Sequence, residues 1–377
     1  MAPALPLVTG MMEILFWGSL IAICYAYAGY PLLLLLWPWK KKIRSSPMEP
    51  RISILIAVRN EARAIGEKIR HLQELDYPAC LRELIVVSDG STDGTVEALS
   101  DWQAAPNVKI LHYSQPRGKA YALNMAAAHA SGDILLFNDA RQKLAPGAVR
   151  ALLANFADPT VGCASGELRF FTEGQPGLKT TLYWKFERWL RARESLMGAC
   201  MGATGAFYAI RREYFRPLPE GLILDDVYTP LQIALRGYRA IHDPDAVMFD
   251  YEASTEKDEF RRKVRTLSGN YQLLRYLPGL LSFRLIGFQF FSHKLVRLVM
   301  PLFLVICLVS SLLAQGWFYR LAFLAQVVCY AAAIFGILRG AKAPAWASAP
   351  AGLVVLNSAA LVAMFNVFRG KTVTWNK

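Results

Sequence analysis

Four long stretches without a single charged residue set the first constraint on how this chain folds. Ile14–Trp39, Leu298–Tyr319, Leu321–Leu338 and Ala343–Phe368 contain no Asp, Glu, Lys or Arg. A helix crossing a hydrocarbon layer of roughly 30 Å needs about 20 apolar residues, so each stretch reads as a membrane span. The first is too long for a secretory h-region and no small-residue cleavage site follows it, so it reads as a retained anchor. Ala343–Phe368 is diluted by Pro344, Ser348, Pro350 and Asn357, and there a re-entrant or interfacial segment is the alternative. Lys40-Lys41-Lys42-Ile43-Arg44 follows the first span directly, and no Lys or Arg precedes it. Positive charge marks the cytoplasmic end of a span, which places the following residues on the cytoplasmic side. Four crossings set the C-terminal tail outside, against the charge bias of Arg369, Lys371 and Lys377.

The residues between the spans have a different grammar. Arg51–Val58 and Glu83–Ser88 are apolar and β-rich, and Asp133–Phe137 gives a further strand. Between the first two, Glu61–Leu75 places Ile65, Ile69 and Leu72 at helical spacing, and Tyr121–Ala130 reads as a second helix. Strands that are apolar throughout, alternating with helices, imply a parallel sheet buried on both faces. Sheets of this α/β kind bind ligands at the carboxyl ends of their strands. The expected organisation is an anchor with its basic flank over 1–44, a cytoplasmic domain over 45–278, and an interfacial helix with membrane segments over 279–377. Phe283–Phe291 is the interfacial stretch. Leu182, Phe186, Trp189, Leu190 and Leu196 share one helical face opposite Glu187, Arg188, Arg191 and Glu194, which suits a surface helix on the core or an interfacial one.

Composition excludes some chemistry. Six cysteines, at 24, 80, 163, 200, 307 and 329, form no CxxC pair and have no His at ligand spacing. Neither a zinc site nor a disulfide framework follows, and small buried residues in a reducing compartment are expected. The net charge is +13, yet there is no continuous basic helix. Arg and Lys beside membranes and phosphates account for the excess, and no nucleic-acid partner is expected.

Polar clusters fall at the predicted strand ends. Arg59-Asn60-Glu61 follows the first strand, Ser88-Asp89-Gly90-Ser91-Thr92-Asp93-Gly94 the second, and Asn138-Asp139-Ala140-Arg141 the one after the helix. Taken singly, Asp-Gly is a common turn and Asp, Ser and Thr cap helices. Three acidic strand ends in one sheet are harder to assign to chance. Two further clusters lie downstream, Leu224-Asp225-Asp226 and Arg262-Lys263-Val264-Arg265.

Over roughly residues 50–275 these motifs resemble the GT-A catalytic domain of family 2 glycosyltransferases, in particular the membrane-embedded branch that includes hyaluronan and cellulose synthases. Val58-Arg59-Asn60-Glu61 is similar to that family's opening loop, Val86–Thr95 to its nucleotide-binding loop, and Arg117-Gly118-Lys119 to its lysine segment. Asp139 stands at the first position of the family's Asp-x-Asp, and Leu224-Asp225-Asp226 resembles its Thr-Glu-Asp. Gly202-Ala203-Thr204-Gly205 resembles the acceptor-side loop.

The resemblance implies an inverting transferase that moves a sugar from a UDP-linked donor to a growing envelope or extracellular polysaccharide. Asp226 is the implied base and Asp139 the ligand of Mg²⁺ or Mn²⁺. Glu61, Asp89, Lys119, Asp139, Arg262 and Arg265 are the implied donor contacts, and Gly202, Thr204, Gly205 and Asp225 lie on the acceptor side. The residue chemistry agrees: a diphosphate leaving group needs positive charge, and an attacking hydroxyl needs a base. For Asp225-Asp226 a helix-capping pair is the alternative. Two positions depart from the family. Arg141 replaces the second acid of Asp-x-Asp and cannot ligate a cation; it can counter phosphate charge instead. Thr266 stands where a sugar-stacking tryptophan is expected, which weakens processive synthesis. A single addition to a lipid-linked acceptor is therefore the rival within the class, and an inactive nucleotide-sugar sensor or a transporter the rival outside it. If a polymer is exported, three C-terminal spans are too few to enclose it, and a second copy or channel partner is expected. The resemblance also implies an integral protein of the plasma (inner) membrane.

Overall fold

The computed structural model describes residues 4–38, 43–172, 175–178, 182–250 and 256–370. Lys40, Lys41 and Lys42 of the basic flank, and Lys371 and Lys377 of the tail, lie outside the described residues. Two compact units emerge. One comprises residues 1–36, 254–271 and 288–372, and the other residues 37–253, 272–287 and 373–377.

The helical unit begins with α1 (Ala4–Cys24), which passes through a π turn at Tyr25–Gly29 into α2 (Tyr30–Leu36). The other unit carries the sheet. In chain order come β1 (Ile52–Val58), α3 (Ala62–Gln73), β2 (Arg82–Asp89), α4 (Thr95–Ser100), β3 (Val108–Tyr113), α5 (Lys119–Ala128), β4 (Ile134–Asn138), β5 (Lys143–Leu144) and α6 (Ala148–Ala154). Then follow β6 (Val161–Thr172), β7 (Gln175–Leu178), α7 (Leu182–Met197), β8 (Phe207–Arg211), α8 (Asp225–Leu235) and β9 (Arg239–Asp250). After α9 (Glu256–Tyr276) come α10 (Leu285–Phe290), α11 (Val296–Leu313), α12 (Trp317–Arg339) and α13 (Ala345–Phe368).

The sheet runs β3-β2-β1-β4-β8-β6-β9-β5, with β7 beside β6. β1, β2, β3 and β4 are parallel, as their unbroken apolar runs require. All seven residues of β1 are buried. Ile65, Ile69 and Leu72 of α3 join this core, each 2% exposed or less. Beyond the strands expected to be parallel, the sheet continues with antiparallel pairs. β8 is antiparallel to both β4 and β6, and β5 is antiparallel to β9. These strands pair across long loops, and β6 (VGCASGELRFFT) has no apolar run to announce it.

α7 also departs from its helical-wheel reading. Leu190 of its apolar face is buried as expected, and two acids of the other face are buried with it: Glu187 and Glu194 are at 6% and 0% exposure. Burial is tolerated because the charges find partners. Arg188 Nε lies 2.9 Å from Glu167, and Glu194 accepts the Met201 N–H at 3.2 Å.

Four helical segments are long and apolar enough to cross a membrane: Thr9–Leu36, Leu285–Leu313, Trp317–Arg339 and Ala345–Phe368. The second differs from expectation at both ends. The Phe283–Phe291 stretch is continuous with the span, because a π turn at Phe291–Leu295 carries α10 into α11. Lys294 and Arg297 therefore lie within this segment, so it is not charge-free. The break to the next helix comes at Gly316 (φ 117°), not at Arg320, since glycine alone takes that backbone without strain. The diluted last span is one 24-residue helix. Pro344 precedes it and Pro350 sits in its second turn, near the end where proline costs least.

Candidate active site

Every strand-end cluster of the parallel half is bound to its neighbour. Asn60 adopts a left-handed backbone (φ 54°); its N–H donates to Ser91 Oγ at 3.1 Å and its Oδ1 accepts the Thr92 N–H at 2.9 Å. Asp93 accepts the N–H groups of Ala62 and Thr95, both at 3.1 Å, so one carboxylate steadies the starts of α3 and α4. Asp89 is fully buried. It accepts Tyr113 Oη at 2.8 Å and the N–H groups of Arg117 at 2.6 Å and Gly118 at 3.0 Å. Gly90 (φ 58°) is obligatory here: a Cβ would stand 2.6 Å from Pro116 N. The Asp-Gly turn thus anchors the loop that delivers Lys119.

At the start of α5, Lys119 reaches into a nest of carboxylates. Its Nζ lies 3.1 Å from Asp139 Oδ1 and 3.5 Å from Asp225 Oδ1. Burial would weaken its charge, but Asp139, Asp225 and Asp226 more than offset this, and its pKa is raised. Asp225 is 5% exposed, with Tyr208 Oη 3.5 Å away. Tyr208 is itself fixed by stacking on Phe137, ring centroids 4.4 Å apart.

Asp226 is half-buried beside this pair. Burial first, then the Asp225 charge, raise its pKa to about 6, while Lys119 and Arg191 pull the other way. The acceptor-side loop is shaped around it. Ala203 N–H donates to the Asp226 carbonyl at 2.8 Å, and a Cβ on Gly205 would stand 2.6 Å from Asp226 Oδ2. Gly202 (φ 136°) brings the loop in under Val227. Thr204 is committed to the scaffold: its Oγ1 donates to the Gly166 carbonyl at 2.7 Å and accepts from Arg191 at 3.0 Å. Gln272 holds the approach to α8, accepting the Ile223 N–H and donating to the Gly221 carbonyl, each at 2.9 Å.

Glu61 is buried and holds Arg141 Nε at 2.9 Å, so Arg141 is turned onto a carboxylate of its own domain. Arg262 and Arg265 stand on α9 within the helical unit. Arg262 is exposed there, and Arg265 keeps its Nε buried without a hydrogen-bond partner among the described residues.

Among the described residues no group of three or more His, Cys, Asp or Glu side chains could hold a metal by itself. The donor set nevertheless fits a hard divalent cation. Asp139 is 39% exposed at its side chain, and Mg²⁺-type ions take one or two carboxylates with the rest of their shell from phosphates and water. Sequence reasoning missed Tyr113, Arg191, Tyr208 and Lys68. Lys68 left a signal, a lysine three residues after Ile65 on the apolar stripe of α3; the others pair across distant loops and left none.

Residues 53–218 match the family model described as Glycosyl transferase family 2. The chain is 23% identical over 268 residues to the poly-beta-1,6-N-acetyl-D-glucosamine synthase of Staphylococcus epidermidis, covering 69% of this chain and 65% of that protein. It is 25% identical over 229 residues to the same synthase of Staphylococcus aureus, covering 59% and 55% respectively. The chain therefore spans between about half and two thirds of these relatives' length. Among solved structures it superposes on a mannosyltransferase from Pyrobaculum calidifontis, determined with GDP-Man and Mn²⁺, at a TM-score of 0.70. That likeness covers 97% of this chain and 99% of the mannosyltransferase at 24% identity.

Proposed function

We propose that this chain is a family 2 glycosyltransferase, on the match of residues 53–218, and that it performs inverting transfer from a nucleoside-diphosphate sugar to a glycan acceptor. The catalytic unit would face the cytoplasm, where such donors are made, and the product would be an envelope or extracellular polysaccharide. The observation that carries this reading is the placement of Asp226: a half-buried carboxylate with a raised pKa, beside a lysine that bridges Asp139 and Asp225.

Each group has a task in that reaction. Asp226 takes the proton of the acceptor hydroxyl as its oxygen bonds to the anomeric carbon. The bond from that carbon to the diphosphate breaks, and the nucleoside diphosphate leaves with the electron pair. A base whose pKa lies near the working pH is suited to this step. Lys119 sets its ammonium where charge gathers on the leaving group, and Asp225 and Asp139 orient it. Asp139 would also hold Mg²⁺ or Mn²⁺, which supplies Lewis-acid stabilisation of the diphosphate when bound. Asp89 and Glu61 act through the loops they brace, and Arg262 and Arg265 are proposed as further phosphate-binding cations, on α9 of the helical unit.

The likeness to poly-beta-1,6-N-acetyl-D-glucosamine synthases makes UDP-N-acetylglucosamine the first donor to test, and GDP-mannose, from the structural neighbour, the second. Thr266, exposed on α9, favours a second reading, addition of one sugar to a lipid-linked acceptor. Protein reconstituted in liposomes with each donor separates the two by product size and lipid attachment. Long lipid-free chains support the polymer, and a single sugar on a lipid carrier replaces it. Nucleoside diphosphate release from none of a panel of donors, with Mg²⁺ or Mn²⁺ present, would overturn the reading and favour an inactive sensor.

A further inference from the structure

Lys68 poses a problem that the reaction above does not solve. It lies on the apolar stripe of α3, 3% exposed, among Ile65, Ile69 and Leu72. Lysine is almost never buried so completely without a partner, because desolvating an ammonium is costly. Its Nζ donates to the carbonyl of Gln142, three residues beyond Asp139. Burial lowers its pKa to about 7, and the charge of Asp139 acts against that fall, so the two groups feel each other.

The contact is one rung of a ladder. Four consecutive residues after Ala140 are each held from α3 or its first turn. Arg141 Nε reaches Glu61 at 2.9 Å, and the Gln142 carbonyl accepts from Lys68. Lys143 Nζ meets Glu67 at 2.6 Å, and the Leu144 N–H donates to His71 Nε2 at 3.0 Å. Gln142 is pinned from the far side as well, its Nε2 donating to Asp250 at 3.1 Å. Two of the rungs use buried groups, Glu61 just before α3 and Lys68 within it, while the Lys143–Glu67 pair is exposed at 46% and 61%. A methionine of similar length would fill the Lys68 site without desolvating a charge, so packing alone does not call for a lysine there.

We propose that Lys68 is a positioning residue for Asp139: buried behind the 139–144 segment, it ties down the Gln142 carbonyl and so fixes where Asp139 presents its carboxylate to the cation and donor diphosphate. This rests on the reading of Asp139 given above. With Arg141 turned onto Glu61, one carboxylate does the work that two share in an Asp-x-Asp loop, so its placement matters more.

The test titrates detergent-solubilised full-length protein with UDP in the presence and absence of Mn²⁺, by calorimetry. Lys68→Met should weaken Mn²⁺-dependent UDP binding about 10–100-fold, the usual cost of removing a group that orients a metal ligand, and leave UDP binding without Mn²⁺ unchanged. Lys68→Arg, which restores a cationic donor, should recover most of the loss, and Glu67→Gln on the exposed rung should be silent. Should Lys68→Met not fold, Lys68→Gln takes its place with a loss of at least about threefold expected. Wild-type Mn²⁺-dependent affinity in a folded Lys68→Met or Lys68→Gln protein overturns the proposal. Asp139→Asn in the same titration separates the two claims: if it loses affinity while the Lys68 variants do not, only the role of Lys68 fails. If Asp139→Asn is also unchanged, the reading of Asp139 fails with it.

Discussion

At the end of β2, Asp89 is buried with its oxygens filled by Tyr113 Oη and the backbone N–H groups of Arg117 and Gly118. At the start of α8, Asp226 is half-buried among other carboxylates, and a glycine keeps the space beside its Oδ2 clear. Both acids sit at the ends of elements of the same unit, each beside a glycine that has no room for a Cβ, and both are aspartates of a recognisable motif. Asp89 gives its lone pairs to its own backbone, which orders a loop. Asp226 is denied enough partners to settle its charge, which keeps it ready to accept a proton. Filling a buried carboxylate with hydrogen bonds from its own loop and crowding one among other carboxylates are opposite uses of one side chain.

That contrast can be broken at its strong end first. Asp226→Asn should lower turnover by roughly 10²–10⁴-fold with nucleotide affinity retained. The same variant should be more stable than wild type at neutral pH. The folded pKa of Asp226, about 6, lies above the value of about 3.9 for an unfolded Asp. The native state therefore binds more protons between these values, and the stability contributed by Asp226 falls as pH rises from about 4 to about 6. Removing the charge removes that penalty, and thermal melts at pH 7.5 should show a higher Tm. A lower Tm would place Asp226 with Asp89, among the acids that hold loops.

Gly205→Ala should follow, with turnover down about 10²-fold, the effect of displacing a reacting group by about 1 Å. Its added Cβ must push Asp226 Oδ2 aside. Unchanged kinetics would mean that Asp226 has room to move and that the loop does not aim it.

Asp89→Asn should act through the fold. Replacing one acceptor oxygen by an amide leaves buried N–H donors unsatisfied, at about 1–3 kcal/mol. Loss of denaturation midpoint should accompany loss of nucleotide affinity; a variant as stable as wild type that loses only nucleotide binding would make Asp89 a direct contact. The smallest effect belongs to Arg265→Lys. Its buried Nε has no hydrogen-bond partner among the described residues; if Arg265 meets phosphate as proposed, its planar fork cannot be replaced by an ammonium. A few-fold rise in donor KM is expected, about 1 kcal/mol, and a silent variant would reduce Arg265 to a helix-face residue.

How much of this was legible in the chain follows from what each feature depends on. β1, β2 and β4 announce themselves because strands buried on both faces must be apolar throughout. Asp89, Lys119, Asp139 and Asp226 are readable because short loops fix their neighbours in sequence. The antiparallel half was not, since β8 and β6 pair over about forty residues of chain and neither alternates cleanly. The buried acids of α7 escaped for the same reason: helical spacing shows which residues share a face, and only a partner outside the helix, such as the Met201 N–H for Glu194, reveals that a charge on it is buried. The Glu61–Arg141 pair spans 80 residues, and Arg141 reads as a free cation until its partner is found. In the helical unit the break at Gly316 was hidden by Arg320, because counting charges finds the ends of apolar runs and not the turns within them.

The most direct measurement is the pH dependence of kcat/KM for transfer by the full-length protein, which reports ionisations of the free enzyme. With Asp226 as the base, the rate should fall with unit slope on the acid side of about pH 6, and Asp226→Asn should lack turnover across the range while still binding nucleotide. A rate that stays flat well below that pH, or an Asp226→Asn enzyme within about tenfold of wild type, would contradict the assignment.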